Sequence, residues 1–246
     1  MVDLLVPAWP APANVRALQT LRTGGCSPAP WESFNLGDHV GDSSILVAAN
    51  RAKLRALLPG EPLWLQQVHG ITAVNADFAT NLLAADAAIA RQPGKVCVVM
   101  TADCLPVLLC DRAGTVVAAA HAGWRGLLAG VLEATIDKMG VPAGELLAWL
   151  GPAIGPKRFE VGDEVHAAFV NQAPEAALAF SPQLSGKWLA NIYTLARQRL
   201  QAAGVDSISG GDFCTVSDTE RFFSYRRDGV TGRMASLIWL DGQSGV

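Results

Sequence analysis

Apolar positions along this chain fall into short runs whose spacing alternates between the two-residue period of strands and the 3.6-residue period of helices. The runs 95–101 (KVCVVMT) and 106–110 (PVLLC) are apolar and carry β-branched residues, which predicts two short strands. The polar stretch 111–114 (DRAG) follows as a turn, and 115–120 (TVVAAA) reads as the returning strand of a hairpin. Over 127–139 the residues Leu127, Leu128, Val131, Leu132, Ile136 and Met139 recur at helical spacing, and Gly140 supplies a stop. A strand is expected at 146–150 and a helix around 163–171. A further helix over 189–203 would bury Leu189, Ile192, Leu195, Ala196 and Leu200 and stop at Gly204. The segment FFSYRRDGVTGRMASLIWL reads as two strands joined by the glycine-containing turn 228–232. Strands and helices mix without strict βαβ alternation, so the pattern predicts an α+β fold with mixed sheets. No repeat, charge block or Ser/Gly-rich linker interrupts residues 1–246, which favours a single domain.

Composition narrows the class. With 50% hydrophobic and 17% charged residues among 246, the chain has enough apolar content for a buried core and is not disordered. A net charge of −3 provides no general field for nucleic acid or anionic membrane. No apolar run approaches the roughly 18 residues that a membrane span requires. The stretch MVDLLVPAWPAPA has no basic region, and Pro7 and Pro10 interrupt it, so a signal peptide is not expected. Five cysteines, an odd number and few for the length, suggest reduced thiols and a cytoplasmic location. The phosphate-loop, dinucleotide, nucleophile-elbow and C-x-x-C patterns are all absent.

Three segments carry candidate chemistry: QQVHG at 66–70, TADCLP at 101–106 and HAGWRG at 121–126. Each places a potential metal ligand, His69, Cys104 or His121, at the end of an apolar run beside turn residues. Separations of 35 and 17 residues are too long for a finger-type site but suit strand ends that converge in a folded core. Cys104 and His121 flank the open end of the expected hairpin, so local pairing alone can bring them together. Two imidazoles and a thiolate match the protein ligands of a catalytic zinc site, whose fourth position holds an acidified water. A cysteine in an apolar strand is more often a small buried hydrophobe, the reading for Cys97 and Cys110 and, more weakly, for Cys26 and Cys214. His39 and His166 read as hydrogen-bonded turn residues.

AGWRG runs directly into the Leu127 helix, so free N–H groups and the positive helix end are expected beside the metal position. Arg125 could add a bidentate contact to phosphate or carboxylate, or could simply lie in solvent at an ordinary turn. Arg226 and Arg227, following Tyr225, form a second basic cluster that also reads as a solvated strand end.

Taken together, QQVHG, TADCLPVLL, HAGWRG, GPAIGP and FFSYRRD…TGRMAS, with RTGGCS, FNLG and Asn50-Arg51, resemble the YfiH family, also called the laccase-domain or multicopper polyphenol oxidase-like family. The resemblance runs from about Arg22 to about Trp239. It implies a four-layer α/β/β/α sandwich related to cysteine hydrolase-like domains, and a His-Cys-His metal site falling on His69, Cys104 and His121. It implies purine nucleoside phosphorylase activity on adenosine, inosine and methylthioadenosine, with zinc-dependent adenosine deaminase activity. Polyphenol oxidation and editing of a peptidoglycan precursor are also attributed to relatives. Where many members carry paired cysteines before Thr215, this chain has Phe213-Cys214.

The expected partners are a purine nucleoside and phosphate, with Arg125, Arg22, Arg51, Arg226 and Arg227 as candidate anion contacts. Zinc is the expected metal and copper the alternative. A full multicopper centre would need on the order of ten histidines, and this chain has four. Deamination suits zinc chemistry at C6 of adenine, although the H-x-E…P-C-x-x-C signature is missing. The competing readings are a metal-free Cys104–His121 nucleophile pair in a hydrolase and a zinc-stabilised binding module with a closed fourth ligand, His39 or Cys26.

Overall fold

The strands that the apolar runs predict are buried on both faces, which explains why they read as continuous rather than alternating. In the computed structural model, which describes residues 2–79 and 83–242, Val96–Thr101, Leu105–Asp111 and Val117–Ala122 are buried throughout. Side chains of one strand point alternately into two different cores. Val107, Leu109, Ala118 and Ala120 enter one core, whereas Leu108, Cys110, Val117 and Ala119 enter the other.

A six-stranded mixed sheet runs in the order Ser207–Gly210, Leu146–Leu150, Leu105–Asp111, Val117–Ala122, Ala87–Ala90, Ala73–Asn75. A five-stranded mixed sheet runs Leu4–Leu5, Val15–Thr20, Met234–Leu240, Val96–Thr101, Pro62–Leu63. The two sheets pack face to face through Cys97, Val99 and Ile238 on one side and Leu108, Val117, Ala119 and Trp149 on the other. Helices Val131–Met139, Asp163–Gln172 and Ile192–Ala202 cover the outer face of the six-stranded sheet. Leu54 of helix Ser44–Arg55 packs with Val96, Val98 and Leu237 on the outer face of the five-stranded sheet. A small antiparallel sheet of Glu160–Gly162, Lys187–Ala190 and Phe180–Pro182 lies in sequence between Leu146–Leu150 and Ser207–Gly210, and its Val161, Phe180 and Ala190 join the helix-covered core. No described helix is long and apolar enough to cross a membrane.

The predicted hairpin is present, with Leu105 opposite Ala122 and Pro106 opposite His121. Its return strand starts later than expected because the Asp111 carboxylate holds the Thr115 and Val116 N–H groups in the turn, at 2.7 and 3.0 Å. The strand Leu146–Leu150 matches its prediction. The expected helix 127–139 is instead two helices, Trp124–Ala129 and Val131–Met139, because Gly130 takes a left-handed conformation (φ 105°) between them. The helix expected over 189–203 begins only at Ile192, where the Asn191 side chain caps the Thr194 N–H at 3.1 Å. Leu189 belongs to the preceding strand Lys187–Ala190. The terminal pair of strands is also corrected: Met234–Leu240 is a strand, but Tyr225–Asp228 is one helical turn. Ser224 caps that turn by accepting from Arg227 N–H, and the Asp103 carboxylate accepts from Arg226 N–H at 2.6 Å.

Candidate functional site

Hairpin pairing puts Cys104 immediately before one strand and His121 near the end of the other, so their side chains meet at the open end. His69, expected at a strand end, instead sits in a loop, and Asp86 is what fixes it. Its carboxylate accepts from the backbone N–H of Val68 (3.2 Å), His69 (2.9 Å) and Gly70 (2.7 Å). The same carboxylate accepts from His121 Nδ1–H at 2.8 Å, and the Asp86 carbonyl accepts from His121 N–H at 2.7 Å. One fully buried carboxylate therefore binds both histidine segments. Two of the residues delivering the cluster sit at positive φ, His69 at 59° and Asp103 at 94°. Such conformations are uncommon for residues other than glycine and persist where surrounding bonds hold them. Asp103 is held by Thr215 Oγ1–H at 2.5 Å and by Arg226 N–H.

The ligand atoms of His69, Cys104 and His121 all lie within 4.8 Å of one another. Cys104 Sγ is 3.8 Å from His69 Nε2, close to the roughly 3.6 Å separation that zinc bond lengths and tetrahedral angles demand. The Asp86 bond fixes a proton of His121 on Nδ1, which turns Nε2 toward Cys104 as the nitrogen available to a metal. Two imidazole nitrogens, one of them on the carboxylate-braced His121, and a thiol form a donor set that fits zinc or copper. Among the described residues no fourth His, Cys, Asp or Glu joins the group. Cys26, a candidate for closing the site, has its thiol against Asn50 Oδ1 at 3.2 Å.

Electrostatics agree with this arrangement. Burial opposes charge on the Cys104 thiol, but His121 and His69 outweigh it and bring the thiol down to about 6. Burial likewise disfavours the His121 imidazolium, yet Cys104 and Asp86 raise it to about 9. Asp86 is held below the usual carboxylate range because its bonds to His121 and to backbone N–H groups overcome its desolvation. By contrast, burial pushes the Cys97 and Cys110 thiols up, as fits their place inside the sheet-to-sheet core. Gly123 is packed against the cluster: a Cβ there would stand 2.9 Å from Cys104 Sγ and 3.1 Å from His69 Cδ2.

Two cavities open on the cluster and share His69, Ala102, Cys104 and Tyr225. One, about 330 Å³, is lined by Trp124, Ile154, Phe159 and Ile192, with Arg125 and Arg226. The other, about 400 Å³, is lined by His39, Gln67, Met100, Thr101, His121 and Arg233. Arg125 lies over the Trp124 ring at 4.4 Å, and Arg226 donates from Nη1 to Glu160 O at 3.0 Å. The remaining arginines expected as anion contacts have other partners. Arg22 donates to Thr219 O (2.9 Å) and lies over the Phe223 ring. Arg227 ties together Thr215 O, Phe222 O and Asp228. Arg51 donates to Leu36 O at 2.9 Å and stacks over Trp64 at 4.1 Å, beside a neighbouring cavity of about 510 Å³. His166 stacks on Trp188 at 3.7 Å, away from the cluster.

Sequence reasoning missed Asp86, Asp103 and Arg233. Asp86 did leave a signal, since a single carboxylate inside AADAAIA must find several partners if the strand is buried. Arg233 stood within the motif TGRMAS without being singled out.

The family model described as "Multi-copper polyphenol oxidoreductase laccase" matches residues 16–241. The chain is 60% identical to a purine nucleoside phosphorylase of Pseudomonas aeruginosa, over 96% of this chain and 98% of the relative. It is 54% identical to purine nucleoside phosphorylase YfiH of Escherichia coli, over 98% and 100%. Its fold superposes on a DUF152-family protein of Neisseria meningitidis with a TM-score of 0.95 at 53% identity, covering 98% and 100% of the two chains. YlmD of Geobacillus stearothermophilus gives 0.89 at 29% identity, covering 98% and 99%. Motifs, fold and near-complete coverage lead to one assignment: the chain belongs to the YfiH family of laccase-domain proteins.

Proposed function

We propose that this protein cleaves purine nucleosides by phosphorolysis, taking adenosine, inosine and methylthioadenosine, with zinc-dependent deamination of adenosine as a second activity of the same site. The observation that carries this reading is the His69–Cys104–His121 cluster at the junction of two cavities, one lined by Trp124, Phe159 and Ile192 with Arg125 and Arg226, the other by Thr101, Gln67 and Arg233. Phosphorolysis brings two molecules together, a flat purine nucleoside and an anion, and the cluster offers a cavity with guanidinium groups on each side. The names of the relatives, purine nucleoside phosphorylase, support the same reaction class.

His69, Cys104 and His121 would hold the metal, and zinc bound there would supply Lewis acidity. The chain's own residues do the rest. Asp86 orients the His121 ring and keeps its Nδ1 proton in place. Trp124, Phe159 and Ile192 offer apolar and aromatic surface to a purine and exclude water from it. Guanidinium groups, Arg125 and Arg226 in one cavity and Arg233 in the other, offer charge to phosphate.

The depressed Cys104 thiol favours a second reading, a metal-free cysteine hydrolase. The family model's description supports a third, oxidation at a single copper held by the same three residues. Product analysis of pure, metal-quantified protein given adenosine separates these. Phosphate-dependent adenine supports phosphorolysis, inosine supports deamination, and phosphate-independent base release supports hydrolysis.

A further inference from the structure

The structure assigns the cavity lined by Thr101 and Arg233 as the oxyanion subsite of this centre, sized and charged for inorganic phosphate, and leaves the Trp124–Phe159 cavity to the nucleoside. The assignment rests on the phosphorolysis reading for its reaction, but the anion site itself stands on three observations. First, Thr101 is 2% exposed and its Oγ1 has no hydrogen-bond partner among the described residues. A buried hydroxyl without a partner is destabilising unless something fills the gap. Thr101 also lines the cavity, so a ligand there can supply the missing bond.

Second, Arg233 is a partly buried guanidinium that forms no carboxylate salt bridge among the described residues. Its Nη1 donates to Thr231 O and Gly232 O, both at 3.1 Å, which fixes the group while leaving Nε and Nη2 without a protein acceptor among the described residues. A fixed guanidinium edge with two free donors matches two oxygens of a phosphate. Third, both residues lie at one end of the five-stranded sheet and line the same cavity: Thr101 ends its strand and pairs with Met234, and Arg233 immediately precedes Met234.

The arginines of the other cavity are less suited. Arg125, over the Trp124 ring, and Arg226, donating to Glu160 O, are both exposed, whereas Arg233 is partly buried. Their cavity presents Trp124, Ile154, Phe159, Ile192 and Tyr225 together with the Asp103 carboxylate, which suits a purine rather than a dianion. Phosphate in the Arg233 cavity would lie beside the shared cluster residues and so beside a nucleoside in the other. In the reaction a phosphate oxygen forms the bond to ribose C1′ and the C1′–N9 bond breaks. The electron pair leaves with the purine, which takes up the proton of the monohydrogen phosphate.

The test combines calorimetric titration of inorganic phosphate with steady-state kinetics for wild type, Arg233→Met, Arg233→Lys, Thr101→Val and Arg125→Ala. Arg233→Met is expected to weaken phosphate binding and raise its KM by about 10–100-fold, with adenosine KM moved less than about threefold. Arg233→Lys should recover part of that loss, and Thr101→Val should cost about fivefold. Should Arg233→Met leave phosphate binding unchanged, or Arg125→Ala carry the loss instead, the assignment is overturned while phosphorolysis stands. Failure of phosphate to bind the wild type also overturns it. Phosphate binding that depends on Arg233, in a protein that releases no base, upholds the anion subsite and removes phosphorolysis.

Discussion

The Asp86 carboxylate accepts from His121 Nδ1–H at 2.8 Å, and it binds the backbone that carries His69 through three further N–H groups. A residue outside the cluster thus sets both the tautomer of one ligand and the position of another. Braces of this kind are worth about 10–100-fold in metal affinity. Asp86→Asn is expected to weaken zinc binding by about that factor, measured by competition with a chromophoric chelator.

Asp86 also links the site to stability, with a defined pH sign. Its folded-state carboxyl titrates below its unfolded value, because the His121 and backbone bonds outweigh burial. Its contribution is therefore fully present above the unfolded value of about 3.9 and is lost as pH falls through the folded value. Asp86→Asn should cost about 3 kcal/mol near neutral pH. Denaturant unfolding of the metal-free proteins should show this gap holding down to about pH 5 and shrinking below about pH 4.

Cys104 should behave as a thiolate in metal-free protein at neutral pH. Alkylation by iodoacetamide, followed by mass spectrometry, is expected to have its midpoint near 6 at Cys104. Cys97 and Cys110, buried and pushed up, should stay unmodified while the fold is intact. His121→Asn removes the main favourable charge, so the Cys104 midpoint should move upward. Saturating zinc should protect Cys104.

Gly123 packs too closely against Cys104 and His69 to accept a side chain without displacing one of them. Gly123→Ala is expected to lower zinc affinity several-fold while far-ultraviolet circular dichroism stays unchanged. Retention of wild-type affinity would mean that the loop yields instead of the ligands.

The parts of the site legible in the sequence were those that neighbouring strands build. Cys104 and His121 belong to one hairpin, so an apolar run, a turn and a second run suffice to bring them together. His69 needed the motif as well, because its loop is positioned by a carboxylate 17 residues away. Asp86 and Arg233 act through sheet neighbours that no local pattern names, with Arg233 reaching the site from the far end of the chain. Element edges failed where side chains or glycine override the period. Gly130 divides a helix whose apolar spacing is continuous, and Ser224 with Asp103 winds a turn where the residues favour a strand.

Cys104→Ala is expected to abolish nucleoside turnover with the fold intact, since a metal ligand is lost and a small thiol contributes little packing. Loss on its own does not separate a metal enzyme from a cysteine nucleophile, whereas a chelator does: a metal-free Cys104–His121 enzyme survives it.

The most direct measurement titrates zinc into metal-free protein in the presence of adenosine and phosphate, following adenine and ribose 1-phosphate together. The account predicts equal amounts of the two products, appearing only with phosphate and rising to a plateau at one zinc per chain. Full base release from metal-free protein, or base release without ribose 1-phosphate, would contradict it.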